Sequence, residues 1–274
     1  MSRNGAEEMS FLDHLEILRW HIIRSVIAIV IIACVAFVYR VELMDKVLLA
    51  PASDAFWTFG ALCDFSIFLN GHFPDIIDAE ALCMSKMEIT MMNPKLQGRF
   101  YAAIMLSMIS GVILAFPYII YEIWKFIRPA LYDKEQKSAK GVLFFGSILF
   151  FTGVLFGYFM IAPLAVHFLS TFEISQNLND FFDMNTIMGT IASSTLACGV
   201  VFELPILSYY LTKAGLITPE FMKQYRKHAF VVTLILSAII TPPDVFSQIL
   251  VAIPIMFLYE ISIFISRMVI KKAS

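Results

Sequence analysis

Between residues 199 and 210 the chain reads GVVFELPILSYY, an uncharged stretch holding one carboxylate, Glu203, with Pro205 two residues on. A charged side chain at the centre of a bilayer costs on the order of 3 kcal/mol, so an acid in such a run faces protein or water and by default marks a functional site. The chemistry open to it is proton uptake and release, or attraction of a cation. A buried glutamate satisfied by a neighbouring helix is the alternative. Two further stretches set acids among aromatic and apolar residues: SFLDHLEILRWHI, with Asp13 and Glu16, and EIWKFIRPALYDKEQK, with Glu135. Read alone, the first could merely pair Glu16 with Arg19 at i, i+3, and the second would pass as a solvated loop. The sequence contains no H-E-x-x-H, G-x-S-x-G or G-x-x-x-x-G-K pattern, and its 5 histidines and 4 cysteines do not cluster at metal-ligand spacing. Neither an enzyme nor a cofactor-binding protein is expected.

The elements that must carry these acids follow from composition. With 59% hydrophobic and 15% charged residues among 274, and a mean hydropathy of +0.78, the chain has more apolar surface than one soluble core can hide. It reads as a single-domain, all-α integral membrane protein with six transmembrane helices, at about 20–40, 100–123, 141–166, 184–212, 228–243 and 245–266. No cleavage site follows the first apolar run, which is expected to stay as an anchor. The uncharged cores of helices five and six are about 15 residues each, reaching only ~22 Å against a hydrocarbon core of ~30 Å, so both are expected to be short. Pro242 and Pro243 lie between them and predict a tight hairpin. Pro117, Pro163, Pro205 and Pro254 fall inside the other runs, and proline-kinked helices predict a concave bundle.

Of the 20 basic residues, all but Arg40, Lys46, Lys86, Lys95 and Arg99 fall in segments that alternate topology places on one side, which makes both termini cytoplasmic. Residues 41–99 then form a long periplasmic loop, aromatic-rich at DAFWTFGALCDFSIF, that predicts a folded or membrane-resting cap. It contains Cys63 and Cys83, either a bridge or two free thiols; Cys34 and Cys198 read as small packing residues. Residues 10–21 predict a cytoplasmic amphipathic helix lying on the membrane, with Phe11, Leu15, Leu18 and Ile22 on one face and Asp13, Glu16 and Arg19 on the other. Stepping back from Glu203 along helix four gives Gly199, Leu196, Ser193 or Ala192, and Gly189, a small-residue face that admits close approach of a neighbouring helix or ligand.

The ordered set FLDHLEILR, FPYIIYEIWKFIRPALYDKE, GVVFELPI, GLITPE and TPPDVFSQILVAIPIMFLYEI, across six helices, resembles the TatC subunit of the twin-arginine protein translocase over nearly the whole chain except roughly 51–98. The resemblance implies a receptor and translocase core in a bacterial cytoplasmic membrane. It implies binding of twin-arginine signal peptides on folded cargo, assembly with single-span TatA- and TatB-like partners, self-association, and transport driven by the proton-motive force. It places the arginine-binding face at Glu135, Glu16, Asp13 and Arg19, with Phe126, Pro129 and Tyr132 beside them. It puts Glu203 and Pro205 in an intramembrane cavity, with Glu203 a candidate for protonation, and Asp244 and Gln248 at partner contacts. One departure is plain: where the family pattern has its glutamate this chain has Ile17, and Glu16 is turned about 100° around the helix.

The rival from another class is a proton-coupled small-solute carrier that uses Glu203 as a relay. Against it stand the lack of an inverted repeat and a single mid-membrane charge. A scaffold with no site of its own is the third reading.

Overall fold

The computed structural model describes residues 11–53, 56–72, 83, 91–93, 95–127, 139–172, 181–241 and 245–273. Apolar residues dominate these segments, and in hydrocarbon a chain satisfies its backbone groups within one segment only as a helix. The long elements are α1 (Phe11–Val38), α3 (Trp57–His72), α4 (Gly98–Ile127), α5 (Ala139–Phe156), α6 (Ala162–Thr171), α7 (Met184–Val201), α8 (Leu204–Lys213), α10 (Arg226–Ile240) and α11 (Val245–Ala273), with short helices α2 (Arg40–Leu43) and α9 (Pro219–Gln224) between them. The expectation of an all-α fold needs one small correction. Strand β1 (Met91–Met92) pairs in parallel with β2 (Phe182–Asp183), Met91 opposite Phe182 and Met92 opposite Asp183, and so ties two loops together.

Among the described residues, five helical segments are long and apolar enough to cross a membrane: Leu15–Val38, Gly98–Phe126, Leu143–Thr171, Met184–Lys213 and Ser247–Lys271. The protein is a multi-pass membrane protein. The expected fifth span is α10, whose 15 residues reach about 22 Å. The last helix is not short: α11 runs for 29 residues, and Glu260, which ends its uncharged stretch, lies within it and pairs with Arg226 of α10 at 2.5 Å. Residues 10–21 do not form a separate surface helix either. From Phe11 the described helix continues unbroken through the first span, since no proline or glycine lies within it to break the ladder.

The prolines act in three different ways. Pro117 and Pro254 lie inside α4 and α11, each of which continues past its proline. Pro163 follows a π-helical turn at Gly157–Ile161 that joins α5 to α6, the wider turn absorbing the clash between the ring and the preceding carbonyls. Pro205 follows a break: Phe202 and Glu203 form a turn between α7 and α8, and α8 restarts with Pro205 in its first turn, where the missing N–H leaves no intrahelical bond unmade.

Small residues set the closest helix approaches. A Cβ at Gly111 would lie 2.8 Å from the Ile29 carbonyl oxygen and 3.0 Å from the Ala33 Cβ, so α1 and α4 meet backbone to backbone. Gly153 and Gly157 do the same for α5 and α7: Cβ atoms there would sit 2.6 Å from the Cys198 carbonyl oxygen and 2.8 Å from the Thr195 Cα. Lipid is as apolar as leucine, so such van der Waals fit carries helix association within the membrane.

The segment after α1 is folded and docked. Phe56 stacks on Phe159 at 5.7 Å, Thr58 donates to the Phe159 carbonyl, and the Tyr158 hydroxyl donates to the Val47 carbonyl at 2.5 Å. Cys63 and Cys83 are joined, with Cα atoms 4.3 Å apart. Leu48 and Ala52 of this cap enter a core with Leu106, Val166, Met188 and Ile191. Of the other two cysteines, Cys198 is buried, whereas Cys34 is exposed on α1 and does not pack inside the bundle.

Candidate functional site

The end of the bundle opposite the cap brings together the start of α1, the end of α4 and the ends of α8 and α11. Its centre is a buried histidine–glutamate hydrogen bond. His21 of α1 meets Glu122 of α4, Nδ1 to Oε2 at 2.5 Å, with only 11% and 3% of the two side chains exposed. Arg24, one turn further along α1, places a guanidinium nitrogen 4.0 Å from the same oxygen, and Tyr118, one turn back on α4, directs its hydroxyl to the carboxylate. The His21 ring also meets Phe126 edge-on at 6.1 Å. A carboxylate this deeply buried is tolerated only when paired and hydrogen-bonded, and here two elements far apart in sequence supply the partners.

Around this pair the expected binding residues divide. Phe126 packs on it, while Glu16 and Arg19 lie exposed on α1, five and two residues before His21 and so nearer the start of the helix. The Asp13 side chain, Pro129, Tyr132, Glu135 and Asp244 lie outside the described residues. Gln248 is engaged within the chain, its amide nitrogen donating to the Leu234 carbonyl at 3.1 Å and so clamping α11 to α10.

Glu203 sits at the α7–α8 break, facing α4 and α5. Its Oε2 lies 3.6 Å from where a Gly146 Cβ would be, and the Ile120 and Ile206 side chains close on the same spot at 2.8 and 3.3 Å. Its Oε1 is buried with no hydrogen-bond partner. Behind it Gly199 packs against Phe150 and Val154, a Cβ there meeting each at 2.8 Å, so the small-residue face meets α5 at this level, while Gly189 at its far end faces Met105 of α4. One layer further along, Trp124 of α4 and Tyr210 of α8 pack ring on ring at 5.4 Å.

Sequence reading missed two things. His21 by itself reads as an interfacial residue, and nothing in its own stretch singles out Glu122. The available signal was their matching depth, at the start of the first span and just past the uncharged run 100–121, on helices that antiparallel topology makes neighbours. The membrane part also holds a second buried carboxylate besides Glu203, although this one is hydrogen-bonded to His21 and approached by Arg24.

Comparison with known proteins adds a common pattern to this geometry. A family model described as Sec-independent protein translocase protein (TatC) matches residues 13–254. The Sec-independent protein translocase protein TatC of Blattabacterium sp. subsp. Periplaneta americana is 40% identical over 271 residues, covering 98% of this chain and 99% of that one. That of Aquifex aeolicus is 33% identical over 265 residues, covering 96% and 97%. A crystal structure of a twin-arginine translocase receptor, TatC, superposes with a TM-score of 0.69 at 32% identity, covering 93% of this chain and 99% of that chain.

Proposed function

Because the chain belongs to the TatC family of Sec-independent protein translocase proteins, we propose that it binds the twin-arginine signal peptides of folded proteins at the end of the bundle where α1 begins and α4 ends. In this reading the guanidinium groups dock on Glu135 and on the polar face of α1, at Glu16, Asp13 and Arg19. Phe126, Pro129 and Tyr132 pack beside them. Glu16 stands in for the glutamate that the family pattern has at position 17. The apolar part of the peptide then enters the concave side at Glu203 and Pro205, and Asp244 and Gln248 face single-span TatA- and TatB-like partners. Both termini lie in the cytoplasm of a bacterium, and the proton-motive force drives passage across the cytoplasmic membrane.

The observation that supports this most is the buried His21–Glu122 pair. It holds the exposed face of α1, with Glu16 and Arg19, against the end of α4, whose last residue Ile127 stands eight positions before Glu135 in the sequence. Bidentate recognition needs such fixed acids, since a guanidinium fork gains over an ammonium only where the acceptors are held in place.

The experiment is photocrosslinking. A photoreactive residue placed at position 135 captures a twin-arginine signal peptide in native membranes and loses it when both arginines become lysines. Capture indifferent to that exchange, or uptake of a labelled solute by the purified protein in vesicles, removes the receptor reading. Glu203→Gln impairs export while leaving peptide capture intact; undiminished export in that variant removes Glu203 from the transport step.

A further inference from the structure

Two polar atoms in the interior of the bundle are unmatched. Glu203 Oε1 and the Trp124 indole Nε1 are both buried without a hydrogen-bond partner, and Trp124 as a residue is only 4% exposed. Native interiors rarely leave such groups unpaired, and those that remain call for an explanation. These two belong to adjacent layers of the same helix junction. Ile120 of α4 and Ile206 of α8 meet over Gly146 at the level of Glu203; four residues on along each helix, Trp124 and Tyr210 form the next layer. One helical turn of about 5.4 Å separates the layers.

From this we infer that Trp124 and Glu203 form a subsite that reads one neutral hydroxyl or amide side chain in the apolar part of an inserted peptide. An indole N–H only donates and a carboxylate only accepts, so the matching group must do both. Serine, threonine, asparagine and glutamine side chains qualify. A leucine leaves both atoms unpaired, and an ammonium leaves the indole unpaired. Tyr210, whose ring closes the layer against Trp124, forms the third wall. The depth of the subsite sets the position that is read. Glu203 lies ten residues before Lys213 at the end of α8, about 15 Å at the helical rise. A helical peptide anchored by its arginines at that end therefore presents the residue about ten positions beyond them.

This rests on the receptor reading above, and one set of peptides separates the two. Each peptide carries an arginine pair followed by a leucine segment with a single serine moved through positions six to fourteen after the pair, and the reference has leucine throughout. Binding is measured to the full chain in lipid nanodiscs. The expected result is one preferred position near ten, bound roughly tenfold tighter than the reference, the size of one or two net hydrogen bonds. That preference disappears in Trp124→Phe and in Glu203→Met, while Trp124→Phe binds the all-leucine peptide as the parent does. A flat profile, or a preference that survives Trp124→Phe, overturns the subsite. If replacing the arginine pair by lysines leaves all affinities unchanged, the receptor reading falls; if arginine dependence holds and the profile is flat, the subsite alone falls.

Discussion

Removing His21 tests whether the buried pair holds α1 against α4. In His21→Leu the Glu122 carboxylate keeps its 3% exposure but loses its partner at 2.5 Å, leaving Arg24 at 4.0 Å as the nearest cation among the described residues. Stranding a buried charge costs about 3 kcal/mol or more, by protein mutagenesis and by insertion scales alike. Arg24, whose side chain is 48% exposed, recovers up to about 1 kcal/mol by swinging inward. The net loss is therefore about 2 kcal/mol, roughly thirtyfold in the ratio of folded to unfolded protein. Replacing both partners, His21→Leu with Glu122→Leu, removes charge and desolvation together and returns stability to within about 1 kcal/mol of the parent. Equilibrium unfolding in mixed detergent micelles, followed by tryptophan fluorescence, supplies the double-mutant cycle. If His21→Leu unfolds with the parent, or if the double variant is as unstable as the two single losses added together, the pair does not hold the helices as argued.

Gly153→Ala places a methyl group 2.6 Å from the Cys198 carbonyl oxygen and should lower stability by about 1–3 kcal/mol, whereas Gly60→Ala, with nothing within 4 Å, should be neutral in the same thermal unfolding assay. Reduction of Cys63–Cys83, which closes a loop of 20 residues, relaxes about 3 kcal/mol of loop-closure restraint, so protease cleavage between the two cysteines should rise after reduction and not in a parallel sample kept oxidised. Glu260→Gln breaks an ion pair whose side chains are 49% and 41% exposed, and should cost less than about 1 kcal/mol and leave the length of α11 unchanged by helical content. Thr218→Ala removes the hydroxyl that caps α9 by accepting from the Phe221 N–H at 3.2 Å, and should cost about 1 kcal/mol in the same unfolding measurement.

The class of this protein is written in its composition, because a chain this apolar has only membrane helices to fold into, and its family in motifs that run in order from 13 to 254. The placement of Glu203 was legible as well: a lone acid in an uncharged run, backed by Gly199, has to face protein, and Gly199 does pack on Phe150 and Val154. Local chemistry misjudged the ends of elements. Glu260 reads as a stop in the apolar run of the last helix, whereas α11 continues through it to Ala273 with the carboxylate half-exposed beside Arg226 of α10. The same limit hid the buried pair. Hydropathy treats each helix alone, so it sees a histidine near one end of a span and a glutamate near the end of another. That the two share a proton-bearing contact depends on Gly111 admitting Ala33 and drawing α1 onto α4, a contact between residues nearly eighty positions apart. Tertiary packing also leaves Trp124 Nε1 and Glu203 Oε1 buried with nothing to bond, a matter of which side chains surround an atom, which no spacing along one helix specifies.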